Sequence, residues 1–352
     1  MQIDTYNTHN KRVCISVPIG YGSPFLRAAL GSLIGQSHNL EIAILDASND
    51  PAVATEIALS GIETIYHRSA PDDGQADAIG EGWDNSTAPI LGWLNADDML
   101  TSGCIETVIK AFETHPDVDL VYGHSTICNQ NGDILGLHSA VRPTSDILNR
   151  DNFISQPSCF IRRTALEKIG GIDKSLHYTM DWDLWLRLYN QGHKFLFLEE
   201  IFSNVSWVED TKTSQVSFKR YKEFANILKR SVGPLTVLKG VIASIRQTRS
   251  VYRDQSRWHQ NLPTLYDGHN SVELPIVNAT RLPQSSLICV FDGSTENVAV
   301  EAVGATISRT DHIITLTFEN KIEPGQCAFL TLKPRNKSAS CGLIKTRWAV
   351  KA

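Results

Sequence analysis

The stretch Pro89-Ile-Leu-Gly-Trp-Leu-Asn-Ala-Asp-Asp98 joins a short apolar run to an acidic turn. The run from Pro89 to Leu94 is bounded by turn-forming residues and is typical of a strand buried in a sheet. The turn that follows carries two adjacent carboxylates, Asp97 and Asp98. In open α/β sheets, ligands bind in the crevice outside the carboxyl ends of the strands. The stretch therefore predicts a buried strand with a ligand-binding end.

Outward from this stretch, strands and helices alternate through the first half of the chain. Runs of apolar residues predict the strands, and apolar residues at helical spacing predict the helices between them. The predicted strands are Val13–Pro18, Glu41–Asp46, Ile62–Tyr66, Pro89–Leu94 and Val118–Tyr122, and the predicted helices are Pro24–Gln36, Gly74–Trp83 and Ser102–Thr114. This alternation indicates βαβ units and a mostly parallel sheet, a Rossmann-like α/β fold.

The rest of the chain has two further patterns. Helices are predicted over Phe218–Arg230 and Pro234–Tyr252, within a segment rich in basic residues. After these helices, short apolar runs are punctuated by Gly, Asn, Asp and Pro at roughly ten-residue spacing, which favours a small antiparallel β domain. We therefore expect an α/β domain at 1–210, a basic helical segment at 211–265 and the β domain at 266–352.

Composition and charge are those of a soluble globular protein. The chain has 352 residues, 42% of them hydrophobic and 20% charged. This length suits two domains, since single hydrophobic cores usually stop growing at roughly 250–300 residues. The net charge of −5 hides an asymmetry, because residues 1–210 carry a balance of −15 and residues 211–260 one of +9. An acidic domain that binds an anionic ligand needs a cation between the two.

Several classes of protein are disfavoured by what the sequence lacks. No apolar run approaches the roughly 20 residues that span a bilayer, and the N-terminus has no signal-peptide core. Seven scattered cysteines without a CxxC pair argue against a disulfide framework or structural zinc, and favour the cytoplasm. The first βα turn, Pro18–Ser23, has no GxGxxG, which disfavours a dinucleotide dehydrogenase, and the P-loop pattern is missing.

The acidic turn at Asp97 and Asp98 has two interpretations. Two adjacent aspartates can ligate one hard divalent cation, which neutralises a pyrophosphate. Alternatively, the turn only caps the following helix, a common position for Asn and Asp. The residues of the turn alone leave both interpretations open.

A second acidic cluster lies in Met180-Asp-Trp-Asp-Leu-Trp-Leu-Arg-Leu188. Trp182 and Trp185 fall at helical spacing and are expected in the core. Asp181 and Asp183 then lie at the N-terminal end of a helix, where the dipole stabilises acids. The alternative is that one of them is a general base, which removes the proton from a hydroxyl nucleophile.

In their order and spacing, these stretches resemble the family 2 glycosyltransferases, inverting enzymes of GT-A fold common in bacterial polysaccharide assembly. The resemblance covers roughly residues 13–215 and depends on several blocks. The blocks are Ile15–Pro18 with Phe25–Leu26 and Ser32–Gln36, Ile44–Asp50, Pro71–Ala78 with Gly82–Trp83, Gly92–Asp98, Val121–Gly123, Gln156–Ser158 with Phe160, Arg162–Arg163 and Gly170–Gly171, and Asp181–Leu188.

On the nucleotide side, the resemblance implies five contact residues, one of which is Asp97 of the acidic turn. Asp46 matches the strand-end acid that hydrogen-bonds to the edge of the nucleotide base. Asp72, Gly74 and Gln75 match the segment that lies near the nucleotide and the donor sugar.

On the reaction side, the resemblance implies a metal pair and a base. Asp97 and Asp98 match the metal-binding pair, with Asp98 as the direct ligand of Mn²⁺ or Mg²⁺. Asp181 matches the acid that deprotonates the acceptor hydroxyl. The implied reaction is a single in-line displacement at the anomeric carbon with inversion, in which the metal stabilises the departing nucleoside diphosphate.

The sequence departs from the family pattern at three positions. Met180 stands where the family often has Glu, and Gly80 where it usually has Asn. Val208 stands where a related segment often has His, so that Lys212 or water would take over any role in holding metal or phosphate. These departures bear on donor choice and metal affinity.

Residues 231–253 predict an amphipathic helix with apolar residues on one face and basic residues elsewhere. Such a helix can lie on an anionic membrane surface, or it can pack on its own acidic domain with a solvated basic face, and both interpretations stay open. Nucleic-acid binding is disfavoured, because no aromatic platform or recognised motif accompanies the charge.

The sequence as a whole favours a glycosyltransferase. We expect it to transfer a sugar from a nucleotide-sugar donor, UDP-linked, to a glycan or lipid-linked acceptor in surface polysaccharide synthesis. We expect a cytoplasmic protein, either free or peripheral on the inner membrane face. The alternative is a catalytically silent protein of the same fold that binds nucleotide sugars or glycans.

Overall fold

The computed structural model describes residues 12–36, 39–149, 152–207, 218–232, 264–335 and 341–349. The first nine strands are β1 (Val13–Ile19), β2 (Leu40–Asp46), β3 (Tyr66–Ser69), β4 (Ile90–Trp93), β5 (Met99–Leu100), β6 (Leu120–Cys128), β7 (Ile134–His138), β8 (Cys159–Arg162) and β9 (Phe195–Ser206). The helices are α1 (Leu26–Ile34), α2 (Pro51–Ser60), α3 (Gln75–Asp84), α4 (Cys104–Thr114), α5 (Ser145–Leu148), α6 (Arg163–Lys168), α7 (Met180–Asn190) and α8 (Phe218–Val232). The C-terminal strands are β10 (Val272–Val277), β11 (Gln284–Phe291), β12 (Val298–Ala302), β13 (Ala305–Arg309), β14 (Ile313–Ile322), β15 (Cys327–Pro334) and β16 (Leu343–Trp348).

A large sheet of 13 strands runs through the described part of the chain. Its order is β13-β14-β11-β16-β7-β6-β8-β4-β1-β2-β3, with β9 beside β6 and β5 beside β9. Strands β4, β1, β2 and β3 are parallel, and β8 lies antiparallel between β4 and β6. The predicted α/β fold, with parallel strands in its N-terminal part and a β-rich C-terminal region, is confirmed.

Strand β1 lies between β4 and β2 in the parallel part of this sheet, and all seven of its residues are buried. Its alternate side chains enter two different cores. Val13, Ile15 and Val17 pack with α1, α2 and α4, whereas Cys14 packs with α3 and α7 on the opposite face. Each fully buried aliphatic side chain contributes about 1.5–3 kcal/mol. The helices therefore cover both faces, as a parallel sheet requires.

The parallel strands end together at one edge of the sheet. Ile19 at the end of β1 pairs with Asp46 at the end of β2, and Asp46 pairs with Ser69 at the end of β3. The chain leaving β4 continues this edge, because the amide of Leu94 donates to the carbonyl of Ser16 at 3.0 Å. We call this edge the acidic rim; it comprises residues 46–50, 69–75 and 94–98.

The sequence places the third strand wrongly, over Ile62–Tyr66, whereas β3 is Tyr66–Ser69. Strand β3 is the last strand of the sheet, and its residues alternate between half-buried and exposed. Tyr66 and Arg68 are held by hydrogen bonds to Glu81 instead of by burial. A search for buried apolar runs therefore misses this edge strand.

Strand β6 is longer than the predicted Val118–Tyr122, because polar residues inside it are buried and satisfied. The hydroxyl of Ser125 lies 2.6 Å from that of Ser155 and 2.8 Å from those of Ser158 and Ser203. This serine network joins β6, β9 and the short 3₁₀ turn at 156–158. A polar stretch that forms a closed network can continue a buried strand.

The C-terminal strands are antiparallel. Strands β13, β14, β11 and β16 continue the large sheet where Thr346 of β16 pairs with Ile134 of β7, whereas β10, β15 and β12 form a second sheet of three strands. The C-terminal region also packs closely on α1. Gly325, at φ +84°, leaves no room for a Cβ, which would meet the backbone of Ala28 and Ser32. The predicted boundaries of the three domains, 1–210, 211–265 and 266–352, stay predictions.

Helix α8 agrees with the helix predicted over Phe218–Arg230. The second predicted helix, Pro234–Tyr252, lies outside the described residues, as do the side chains of the amphipathic stretch 231–253. Among the helices of the described ranges, none is long and apolar enough to cross a membrane.

Candidate active site

Asp46 lies at the acidic rim between β1 and β3, with 2% of its surface exposed. Its Oδ1 atom accepts hydrogen bonds from the amide of Ser48 at 2.9 Å and the hydroxyl of Ser48 at 2.6 Å. Its carbonyl accepts the amide of Ala70 at 3.0 Å, which ties the end of β2 to the chain leaving β3. The carboxylate is therefore fixed in direction before any ligand arrives.

Asp72 closes a turn at the start of α3. Its Oδ1 atom accepts the amide of Gly74 at 3.0 Å, and its Oδ2 atom accepts Nη2 of Arg68 at 3.0 Å. Gly74 has φ +123°, a conformation that favours glycine. Arg68 also donates from Nε to Glu81 at 2.8 Å, so the turn is anchored to the body of α3. A helix N-terminus with free amides is a binding place for anions.

Asn95 is the hub of the acidic rim, although the sequence interpretation gave it no role. Its Oδ1 accepts Nε2 of Gln75 at 2.7 Å. Its Nδ2 donates to Oδ2 of Asp98 at 3.0 Å and to Oε1 of Gln156 at 3.1 Å. Gln156 in turn donates to the carbonyl of Trp93 at 2.7 Å. One amide thus joins α3, the end of β4 and the 156–158 turn.

The carboxyl group of Asp98 is buried, and its neighbour Asp97 is partly exposed. Oδ1 of Asp98 accepts the amide of Ser206 from β9 at 3.2 Å. Burial, and then the charge of Asp97, raise the pKa of Asp98 well above its usual value. Burial and the same two carboxylates raise the pKa of Tyr21 to about 12, so this phenol faces the pair.

The helix-capping alternative for this turn is wrong. Strand β5 separates Asp98 from α4, which begins at Cys104. The residue at the N-cap of α4 is Gly103, in the left-handed conformation at φ +79°. Asp97 and Asp98 therefore do not cap α4, and their carboxyl groups lie at the acidic rim.

The acidic pair fits a hard divalent cation. Burial and the neighbouring charge of Asp97 raise the pKa of Asp98. A cation between the two carboxyl groups would stabilise their ionised forms. The hydroxyl of Ser206, beside Asp98, is buried and has no hydrogen-bond partner among the described residues. No group of three or more His, Cys, Asp or Glu side chains in the described ranges could enclose a metal. A cation here would complete its coordination with ligand oxygens and water.

The two acids of helix α7 have different surroundings. Asp183 is buried and accepts Nε of Arg187 at 2.6 Å, one turn later, which makes it part of an ion pair within the helix. Asp181 is partly exposed, and its Oδ2 accepts Nδ2 of Asn152 at 2.7 Å. Trp182 and Trp185 are buried in the core as predicted. Asp181 is therefore the acid that a ligand can reach.

Helix α7 lies against the acidic rim at two points. The Trp185 ring stacks on Trp93, two residues before Asn95, with ring centroids 5.9 Å apart. Before the helix, Nδ1 of His177 lies 3.4 Å from where a Cβ of Gly74 would stand. The chain just before the helix of Asp181 therefore lies beside the turn of Asp72.

The departures from the family pattern have a structural setting. Met180 is 6% exposed and belongs to the core around α3 and α7. A Cβ on Gly80 would lie 3.2 Å from Cε of Lys174 and 3.5 Å from Cγ2 of Ile172, so this position faces residues 172–174. Val208 and Lys212 lie outside the described residues.

A parallel sheet whose C-terminal edge carries these acids agrees with the GT-A fold that the sequence resemblance implies. In sequence, residues 14–170 match the family model described as glycosyl transferase family 2. Over these residues the chain is similar to that family, and the match covers somewhat less than half of the chain.

Curated relatives are similar over the same region. The chain is 25% identical over 227 residues to an uncharacterized glycosyltransferase of Rickettsia typhi, covering 62% of this chain and 70% of the relative. It is 27% identical over 170 residues to an uncharacterized glycosyltransferase of Haemophilus influenzae, covering 47% of this chain and 57% of the relative.

Two solved structures are also similar. S. aureus TarS 1–349 in complex with UDP-GlcNAc has a TM-score of 0.48 and 13% identity, covering 61% of this chain and 65% of that chain. Mannosyltransferase PcManGT from Pyrobaculum calidifontis in complex with GDP-Man and Mn²⁺ has a TM-score of 0.47 and 13% identity, covering 72% of each chain.

Proposed function

We propose that the protein is an inverting, metal-dependent glycosyltransferase. It transfers a hexosyl group from a nucleotide-sugar donor, UDP-linked, to a glycan or lipid-linked acceptor in surface polysaccharide synthesis. The observation that carries this proposal is the hydrogen-bonded chain from Gln75 through Asn95 to Asp98. It links the turn proposed to hold the donor with the acidic pair proposed to hold the metal.

The donor would lie along the acidic rim. Asp46 would accept a hydrogen bond from the edge of the nucleotide base, since its direction is already fixed by Ser48. The Asp72–Gly74 turn and the N-terminus of α3 would lie near the diphosphate and the sugar. Asp97 and Asp98 would hold Mn²⁺ or Mg²⁺, which supplies positive charge against the departing nucleoside diphosphate.

Asp181 would be the general base. A bond forms between the acceptor oxygen and the anomeric carbon while the bond from that carbon to the phosphate oxygen breaks. The acceptor proton passes to the carboxylate of Asp181, and the electron pair of the broken bond leaves with the diphosphate. The hydrogen bond from Asn152 fixes the direction of that carboxylate. Attack from the face opposite the leaving group inverts the anomeric configuration.

The deciding experiment is turnover with a panel of UDP-, GDP- and dTDP-sugars in the presence of Mn²⁺. The proposal expects hydrolysis or transfer with at least one donor and loss of that activity on chelation. Asp181→Asn should abolish transfer and leave UDP affinity nearly unchanged, whereas Asp84→Asn, at the exposed end of α3, should change neither. Asp98→Ala should weaken metal-dependent nucleotide binding.

The rival is a catalytically silent protein that binds nucleotide sugars or glycans. It predicts tight binding of a nucleotide sugar without turnover from any donor in the panel. Normal turnover in Asp181→Asn would remove this residue from the mechanism. Unchanged Mn²⁺ dependence in Asp98→Ala would count against the metal assignment.

A further inference from the structure

Helix α8 lies beyond the family match and packs directly on the helix that carries Asp181. The rings of Phe224 and Trp182 have centroids 4.6 Å apart. Ile227 and Leu228 are fully buried in the same core as α7. This part of the basic segment is therefore built into the catalytic body.

Glu223 of α8 reaches the three residues that precede α7. Its carboxylate accepts the amide of His177 at 3.1 Å and the amide of Tyr178 at 2.9 Å. The hydroxyl of Thr179 lies 3.4 Å from the same group. Hydrogen bonds to an ionised acceptor are shorter and stronger than those between neutral groups. One carboxylate thus ties down a whole turn, residues 177–179.

The start of α7 needs such an anchor. Thr179 is the N-cap residue, and within the described residues its side chain makes no capping hydrogen bond to the helix. Most helices satisfy their first amides with an N-cap side chain, and the loss of that contact weakens the helix start. Here the start of α7 is supported by Glu223 of α8, whose carboxylate contacts Thr179, two residues before Asp181.

The anchored turn also borders the donor side of the site. Nδ1 of His177 lies 3.4 Å from where a Cβ of Gly74 would stand. A shift of residues 177–179 would therefore change the distance from Asp181 to the turn that starts α3. Misplacement of a reacting group by 1 Å can cost about a hundredfold in rate.

We propose that Glu223 is a positioning residue for the base of the transfer reaction. It holds the 177–179 turn in place. That turn sets the position of the Asp181 carboxylate relative to the acceptor hydroxyl and the donor. This role rests on the proposed glycosyltransferase function.

The test compares Glu223→Ala and Glu223→Gln with wild type in the full chain, with the donor that wild type uses. Glu223→Ala should lower kcat by about tenfold to a hundredfold and leave the KM for the donor within about twofold. Glu223→Gln keeps one acceptor oxygen for the turn, so its kcat should be much closer to that of wild type than the kcat of Glu223→Ala. Arg230→Gln is the matched control, because it removes an exposed α8 contact, 3.1 Å to Asp173, and leaves the turn intact.

Hydrogen exchange gives a reading that does not depend on turnover. The amides of residues 177–183 should exchange faster in Glu223→Ala than in wild type, while those of α3 stay unchanged. An active wild type with an equally active Glu223→Ala overturns the positioning role alone. An equal loss of kcat in Arg230→Gln also overturns the positioning role, because the loss would then follow from any loosening of α8 and not from the contacts of Glu223. A wild type without turnover on every donor overturns the proposed function instead, and unchanged exchange at 177–183 overturns the anchor itself.

Discussion

Asn95 donates a hydrogen bond of 3.0 Å from Nδ2 to Oδ2 of Asp98, three residues later in the same turn. The donor is an amide, so a neutral group supports the buried carboxylate of the acidic pair. The opposite end of the amide accepts Nε2 of Gln75 at 2.7 Å. The side-chain amide of Asn95 therefore donates to Asp98 at one end and accepts from Gln75 at the other. A carboxylate at this position could accept but could not donate.

Asn95→Asp should therefore destabilise the metal-free protein. The substitution removes the donor to Asp98 and places a third carboxylate beside Asp97 and Asp98. Loss of a buried hydrogen bond with its partner left unsatisfied costs about 1–3 kcal/mol. A thermal melt in chelator should show a lower Tm, and Mn²⁺ should raise the Tm of the variant more than that of wild type.

Asn85→Asp is the control for this change of amide to acid. Its amide only donates to the carbonyl of Glu81 at the exposed end of α3. A Tm for Asn95→Asp equal to that of Asn85→Asp, with and without Mn²⁺, would contradict the role of Asn95 as the hub of the acidic rim.

Asn152→Leu should slow the reaction without weakening donor binding. The change removes the 2.7 Å hydrogen bond from Nδ2 to Asp181 and keeps a side chain of similar size. Hydrogen bonds to charged groups are worth about 1.5–3 kcal/mol, so kcat should fall about tenfold or more. Steady-state kinetics and UDP binding measured on the same preparation separate the two effects. A raised nucleotide Kd with unchanged kcat would refute this assignment.

The sequence predicts the elements that are buried and uninterrupted, and it misplaces those that depend on partners. Strands β1, β2 and β4 are apolar runs covered on both faces, and the sequence places each of their ends to within one residue. The edge strand β3 is held by Glu81, and the second half of β6 by the serine network around Ser125. Neither partner can be found from local hydropathy, because each lies far away in the chain or in a different element.

The candidate site divides in the same way. The acids at the ends of strands are visible in the sequence because a parallel sheet must bring its strand ends together. Gln156 and Asn152 could not be assigned, because their contacts with Asn95 and Asp181 join residues 29 to 61 positions apart. Glu223 was hidden for another reason, since it is one acid in a stretch of predominantly basic residues. Asn95 has the ordinary composition of a turn, and only its contacts distinguish it.

Substitution by alanine should destabilise the protein at one glycine of α3 and have little effect at another. A Cβ on Gly82 would contact the hydroxyl of Ser16 and lie 3.0 Å from Cδ2 of Leu45, inside the packed interface with β1 and β2. Gly82→Ala should therefore destabilise the protein by about 1–3 kcal/mol. A Cβ on Gly80 would meet only the flexible end of Lys174 and Ile172. Gly80→Ala should stay within about 1 kcal/mol of wild type, because the gain in helix propensity offsets the contact.

Denaturant unfolding of both variants measures this difference directly. Equal denaturant midpoints for Gly82→Ala and Gly80→Ala would contradict the close approach of α3 to β1 and β2. The pair also tests the donor side, because a shift of α3 at Gly82 would move its N-terminus and reduce nucleotide affinity. Gly80→Ala should leave that affinity unchanged.

The seven cysteines should be almost inert in the folded protein. Burial raises the pKa of Cys14 and of Cys289 to about 12, and it raises the pKa of the other five thiols as well. Because only the thiolate reacts and a raised pKa keeps the thiol protonated, little reaction with a disulfide reagent is expected at pH 8. Between pH 8 and pH 9 the rate should rise, since the raised pKa values leave most of each thiol protonated at pH 8 and the thiolate fraction grows with pH. All seven should react at once in denaturant. Six of them are buried and Cys327 is partly exposed, so rapid reaction of more than one thiol of the folded chain at pH 8 would contradict the burial of these side chains.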